Sequence, residues 1–186
     1  MKKSLLTIVL IAAIYSIASA QTTSSAYAPG SSLFSVGIGI GSPFFGSGYT
    51  SSLPVNPTVS YEKGIIAGLS VGAEASYASQ KFSYNDGLAS DDYSITYSAI
   101  YLGVRGSYHF GDLLSLPKNI DLYGGATAGY VILVVSDNEG NAAAGSGAGG
   151  GAFVGGKYYF ASNIGVYAEA GYQSLSYLNV GVTFKF

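Results

Sequence analysis

The chain has 186 residues, no cysteine, a net charge of −2 and 10% charged against 48% hydrophobic residues. A soluble domain carries roughly 25% charged residues, so this composition argues against an ordinary water-exposed surface. The slight acidity gives no basis for nucleic-acid binding, and the absence of cysteine excludes a disulfide framework.

The first 20 residues have the pattern of a secretory signal peptide. Lys2 and Lys3 form a positive start, residues 5–17 are almost entirely apolar, and residues 18–20 (Ala-Ser-Ala) form a small-residue cleavage site. The apolar run is shorter than the roughly 20 residues that a transmembrane helix needs. We therefore predict export and a mature chain starting at Gln21, with a retained anchor as the alternative.

Residues 21–32 are rich in Ser, Thr and Ala and predict a periplasmic lead-in, and residues 33–186 predict one domain of eight strands. These strands alternate apolar and small or polar residues with period two. The even count lets both ends of the domain lie on the periplasmic side. The strands are predicted at about residues 34–41, 55–62, 65–82, 93–110, 120–134, 151–160, 164–172 and 176–186.

The last strand shows the alternation most clearly. A strand with lipid on one side and a polar lumen on the other requires this pattern, whereas a soluble β-sandwich or lipocalin-like barrel needs more charge on its outer faces. The fold class is therefore predicted as all-β, an eight-stranded antiparallel up-and-down transmembrane β-barrel. The two faces of the last strand carry Leu178, Val180, Val182, Phe184 and Phe186 outside, and Tyr177, Asn179, Gly181, Thr183 and Lys185 inside.

The predicted connections alternate in length. Tight turns at residues 62–64 and 161–163 fall on the periplasmic side, although the connection at 111–118 is long for that side and the loop near Gln173 is short for the other. The strands at 65–82 and 93–110 are near 18 residues each, against about 9–11 needed to span a bilayer. They are predicted to protrude and, with a Gly/Ala-rich loop at Ser136–Gly149, to form a contact surface.

Outer-face aromatic residues are predicted to form two belts where lipid meets water. The periplasmic belt comprises Tyr61, Phe110, Phe160 and Phe186, and the outer belt Tyr77, Tyr130 and Tyr172.

Seven charged residues point inward by strand phase. Buried charges persist when they are paired, and an eight-stranded barrel is just wide enough for side chains to fill its interior. We therefore predict a filled polar lumen, with a narrow pore for ions or small solutes as the alternative. The predicted network is Glu62, Glu74, Arg105, Asp121, Lys157, Glu169 and Lys185.

No catalytic, cofactor or metal residue is predicted. His109 is the single histidine, which excludes a histidine-cluster metal site. Ser107 and His109 share the inner face with Glu62 nearby, but side chains two apart on one face are about 7 Å apart, beyond hydrogen-bond reach. His109 is therefore predicted to be structural, and an outer-membrane lipid-modifying enzyme remains the less favoured alternative.

Taken in order, several segments resemble the small eight-stranded outer-membrane barrels of the OmpX/OmpA type, in the form common among Bacteroidetes. The resemblance implies a Gram-negative outer-membrane location, contact with outer-membrane lipid, and insertion by the barrel assembly machinery, with Phe184 and Phe186 in the recognised signal. Because the family is functionally broad, it implies no activity. We expect a monomer with a structural or surface-interaction role, its partner an extracellular protein or surface ligand. The matching segments are residues 61–64, 103–110, 121–125, 155–160, 167–172 and 178–186.

Overall fold

A computed structural model describes residues 26–42, 50–51, 56–84, 93–137 and 142–186. The predicted signal peptide lies outside the described residues. The strands are β1 (Ser32–Ile40), β2 (Thr50–Ser51), β3 (Asn56–Ile66), β4 (Leu69–Tyr84), β5 (Tyr93–His109), β6 (Ile120–Asp137), β7 (Ala142–Tyr159), β8 (Ile164–Gln173) and β9 (Ser176–Lys185).

All strands except β2 form a closed barrel of eight antiparallel strands, which confirms the predicted fold class. Consecutive strands pair with one another, and β1 pairs with β9 to close the ring, with Phe34 opposite Phe184. Among the described residues, the two-residue β2 pairs with Gln80 and Lys81 of β4. The backbone of Ser32 exchanges two hydrogen bonds with that of Phe186, so the lead-in and the end of β9 meet at one end of the barrel, here called the proximal end.

Within the described ranges, no helix is long and apolar enough to cross a membrane.

Burial follows the predicted phase and is inverted relative to a soluble protein. Along β3, Asn56, Thr58 and Ser60 are buried, whereas Val59 and Tyr61 are exposed on the outer face. The outer wall elsewhere exposes large aliphatic side chains, with Val104 66% exposed. Period-two alternation thus places polar groups in the lumen and apolar groups outside.

The first proximal turn differs from the prediction. The ladder between β3 and β4 continues through Glu62 and beyond Gly64, so residues 62–64 are strand and not a turn. The turn is Ala67–Gly68, where Gly68 has a φ of 77°, a conformation that glycine adopts without steric cost. A β-bulge between Gly64 and Ile66 shifts the register of the β3–β4 ladder next to this turn. Glu62, on the other side of the bulge, points inward as predicted by strand phase.

The predicted loop at 136–149 is also largely strand. β7 begins at Ala142, and its Gly/Ala-rich half pairs with β6 from Ser136 to Gly129. Glycine and alanine are poor strand formers, but the facing part of β6 is rich in β-branched residues and supplies a complete ladder partner. As a result β5, β6 and β7 have 17–18 residues against 9–10 for β1, β8 and β9, and the sheet of β4–β7 extends past the other wall at the distal end.

Candidate functional site

Arg105 of β5 is the centre of a buried ion-pair cluster in the lumen. Its Nε lies 3.0 Å from Glu62 Oε2, and its Nη1 lies 2.9 Å from Glu74 Oε2. Nη1 and Nη2 both donate to the Glu169 carboxylate, the Nη1 bond measuring 3.3 Å to Oε2. All four side chains are at most 3% exposed, so one guanidinium satisfies three carboxylates away from water.

Glycines in the ladder rows make these contacts possible. Gly72 of β4 stands between Glu62 and Arg105 in register; with no side chain there, the arginine can reach across β4. Gly155 of β7 likewise separates Glu169 from Tyr123, whose hydroxyl donates to Glu169 Oε1 at 2.8 Å. A Cβ on Gly155 would lie 2.8 Å from both of those side chains.

His109 belongs to a second buried chain, towards the proximal end. Its Nδ1 lies 2.8 Å from Asp121 Oδ2 on β6, and its Nε2 lies 3.0 Å from Ser70 Oγ on β4. Ser70 Oγ is also 2.8 Å from Glu62 Oε1. This series of hydrogen bonds joins Asp121 to the Arg105 cluster. Ser70, and not Ser107, is the serine that contacts His109.

Among the described residues, the two lysines of the predicted network form no ion pair with the carboxylates of the Arg105 cluster. Lys157 Nζ has no hydrogen-bond partner among the described residues and sits 4.3 Å from the centre of the Tyr123 ring. Lys185 Nζ donates to the Ala26 carbonyl at 2.9 Å and sits 4.5 Å from the centre of the Tyr159 ring. Both ammonium groups thus rest on aromatic faces, where cation–π attraction stabilises them.

The lead-in closes the proximal end. The Tyr27 ring stacks on His109 with 3.9 Å between ring centres and 8° between planes. Its single hydroxyl proton is shared between the backbone carbonyls of Leu69 and Ile66, the one to Leu69 being the shorter contact. Burial, together with the nearby Asp121 and Glu62 carboxylates, raises the pKa of Tyr27 to about 12. Tyr27 therefore remains a neutral hydrogen-bond donor at physiological pH.

The distal part of the lumen is closed by an apolar cluster. Leu175, in the short β8–β9 turn, is fully buried, and its carbonyl accepts a hydrogen bond of 2.8 Å from Asn56 Nδ2. Ser174 adopts a φ of 48°, which turns the chain sharply at this point. This short turn thus closes the lumen where a long loop is usual. The cluster comprises Ala78, Ala99, Tyr101, Val131 and Leu175, with Leu133 packed against it.

Strand phase identified the inward charges but not their partners. Ser70, His109 and Tyr123 enter the network through register across strands, and Tyr27 enters from a segment without strand pattern. The inward aromatic positions of β5 and β6 were the sequence signal that could have pointed to these partners, because the side chains of a small barrel must fill its interior. Among the described residues, no group of three or more His, Cys, Asp or Glu side chains is arranged to hold a metal ion.

Among known proteins, the chain is similar to solved structures only. No protein-family model and no curated protein matches the chain. The Yersinia pestis attachment invasion locus protein Ail, solved with the heparin analogue sucrose octasulfate, is 16% identical with a TM-score of 0.49, covering 86% of this chain and 100% of that one.

Two further outer-membrane structures are similar. The N-terminal β-barrel domain of Pseudomonas aeruginosa OprF is 16% identical, with a TM-score of 0.47 and coverage of 85% of this chain and 98% of that one. The E. coli outer membrane protein W is 12% identical, with a TM-score of 0.40 and coverage of 86% of this chain and 100% of that one. Likenesses at identities of 12–16% do not bear on what this chain binds.

Proposed function

We propose that the chain is an integral outer-membrane barrel whose lumen is closed by its own side chains and whose distal sheet serves surface interaction. The Arg105 cluster carries this proposal. It joins β3, β4, β5 and β8 across the interior and leaves its four side chains at most 3% exposed. A barrel filled in this way is a support for its outer surface and not a conduit.

The outer wall supports the membrane location. Leu102, Val104 and Val154 are each more than half exposed on the outer wall. Contiguous apolar surface of this extent is unfavourable in water and favourable in lipid. Tyr130 and Tyr172 towards the distal end, and Tyr61 and Phe160 at the proximal end, are exposed at the two heights where the aromatic belts are expected.

Fractionation and heat-modifiable gel migration test this location. A folded barrel is expected in the outer-membrane fraction, migrating faster before boiling than after it. Recovery as a soluble periplasmic protein would overturn the proposal. Membership of the OmpX/OmpA-like barrels, export by residues 1–20 and insertion by the barrel assembly machinery stay predictions.

Closure at three heights favours a plug over the narrow pore. Tyr27 stacks at the proximal end, Arg105 holds the middle, and Leu175 lies in the distal cluster. In planar bilayers we expect no steady single-channel steps from the refolded chain. Regular conductance steps that survive removal of contaminating porins would favour the pore.

The distal sheet supports the surface role. β4–β7 extend past the rest of the barrel, and residues 143–148 of β7 are exposed. Among the described strands, β8 pairs with β7 only from Gly151 onwards, so the edge before it is open to a partner strand. Deleting residues 80–93, which removes the distal end of β4 and its connection to β5, is expected to abolish adherence of cells to matrix-coated surfaces without loss of the folded barrel; full adherence would contradict a role for the β4–β5 part of the distal sheet.

The Ser70–His109–Asp121 geometry raises the enzyme alternative again. The order of the three groups is that of a nucleophile, base and orienting acid. However, all three are at most 3% exposed, and the Tyr27 ring covers the imidazole. We therefore propose a structural role for them; lipid A deacylation or palmitoylation by the purified protein, lost in Ser70→Ala, would overturn it.

A further inference from the structure

The connection between β5 and β6 places leucines on the surface at the proximal end. The backbone N–H of Leu114 donates to the Phe110 carbonyl, and that of Leu116 to the Gly111 carbonyl, both at 2.9 Å, which folds the segment into a compact turn. Leu113 is 72% exposed and Leu114 53%. A turn in water usually shows polar residues, so these two leucines point to another environment.

A shallow groove of about 400 Å³ lies on the outer wall beside this turn. The outward positions of β8 here hold the small residues Ala168 and Ala170, and Gly156 of β7 stands beside Ala168. Leu114 borders it from the turn. The outward side chains around it are all apolar: Phe110, Leu114, Leu122, Val154 and Leu178.

We propose that this turn is an interfacial anchor that holds one acyl chain of a periplasmic-leaflet phospholipid in the groove, with Leu113 and Leu114 immersed beside it. The groove is continuous with the wall that faces lipid, since Leu122 and Val154 belong to both. The charged residues of the connection, Asp112 and Lys118, flank the leucines in sequence and are exposed. This exposure fits a position at the level of the lipid headgroups. The inference rests on the proposed membrane location.

The chain has no tryptophan, so a single substitution gives one fluorophore. Leu113→Trp, refolded into phosphatidylcholine vesicles, is expected to show blue-shifted emission and strong quenching by lipids brominated near the headgroup end of the acyl chain. Water-like emission that acrylamide quenches and bromolipid does not would overturn the anchor. Shielding from both quenchers would mean that protein covers the leucines, and would overturn it too.

Two matched probes separate this test from that of the proposed function. Val104→Trp, on the outer wall and outside the groove lining, should be quenched by bromolipid if the barrel is in the membrane, and Lys81→Trp, on the distal part of β4, should not. Quenching at position 104 but not at position 113 would overturn the anchor and leave the membrane barrel. Absence of quenching at position 104 in a protein that shows heat-modifiable migration would overturn both.

A larger side chain placed in the groove tests whether the groove holds an acyl chain. By native mass spectrometry after mild detergent extraction, the unaltered chain is expected to retain one phospholipid that Ala168→Leu loses at least several-fold. Ala128→Leu, an exposed outer-wall position away from the groove, should retain it. Equal retention in all three folded proteins would overturn the groove assignment.

Discussion

Arg105 and Glu169 form a bidentate ion pair across the lumen, although their strands β5 and β8 share no ladder. The pair therefore connects walls that the backbone hydrogen bonds do not. Since Glu62 and Glu74 share the same guanidinium, removing one side chain leaves three buried carboxylates without their cation.

Arg105→Ala is expected to lower the unfolding temperature sharply. Breaking a buried ion pair by removing one partner typically costs about 3–5 kcal/mol, because the remaining charge is buried and uncompensated. Thermal unfolding in detergent, followed by the gel shift between folded and heat-denatured forms, measures this. An unchanged melting curve would contradict the proposed lumen network.

A double-mutant cycle tests whether Glu169 is the principal partner. Because Glu169→Gln removes one of the carboxylates that Arg105→Ala leaves unpaired, the double variant should be less destabilised than the sum of the two single variants. Additive effects would show that the pair is not coupled. Arg105→Lys keeps the positive charge but loses the paired guanidinium donors, so its destabilisation should be smaller than that of Arg105→Ala but still measurable.

Tyr27→Ala is expected to release the lead-in from the proximal end. The variant loses the stacking on His109 and the hydrogen bonds to Ile66 and Leu69, so limited proteolysis should cut the segment preceding β1 faster. Tyr27→Phe keeps the stacking and should be affected less, by about 0.5–1.5 kcal/mol for a lost hydrogen bond. Equal protease resistance in all three proteins would contradict docking.

Docking of Tyr27 should also weaken at high pH. Its pKa is about 12 in the folded chain against 10.0 for a free phenol, so the folded state binds the proton more tightly. The stabilisation is complete below pH 10 and declines as the pH rises towards 12. Tyr27→Phe should lose this part of the alkaline dependence. If the unaltered chain and Tyr27→Phe show the same pH profile of protease sensitivity, titration of Tyr27 does not control docking.

Gly37→Ala and Gly147→Ala form a matched pair. A Cβ on Gly37 would lie 2.6 Å from the Val180 carbonyl oxygen and clash with the Tyr167 hydroxyl, whereas a Cβ on Gly147 has nothing within 4 Å. Overpacking typically costs about 1–3 kcal/mol, so Gly37→Ala should lower the melting temperature and Gly147→Ala should leave it nearly unchanged. Similar shifts for both would mean that the lumen near β1 is not tightly packed.

Phe186→Ser tests the proposed assembly signal. We expect less folded protein in the outer membrane of cells, but normal refolding of the purified chain in detergent, because recognition and not stability is lost. Phe160→Ser removes another proximal aromatic that is 61% exposed and serves as the control. Equal yields of the two variants in cells would remove Phe186 from the signal.

The sequence by itself determined the strand type and its two faces. Period-two alternation is a local property, and it predicts Glu62, Glu74 and Glu169 inside and Val104 outside. In the structure the three glutamates are buried and Val104 is exposed. Because phase survives small errors in position, Glu62 kept its inward orientation even though the turn lies at Ala67–Gly68 and not at residues 62–64.

The tertiary structure alone decided which inward groups meet. Arg105 contacts Glu169 because register and barrel closure bring β5 and β8 opposite each other, and closure is a property of all the strands together. Ladder pairing with β6 likewise made a strand of the Gly/Ala-rich half of β7 against its weak propensity. Tyr27 has no strand pattern to reveal it; it meets His109 only because barrel closure brings the lead-in and the end of β5 together at the proximal end.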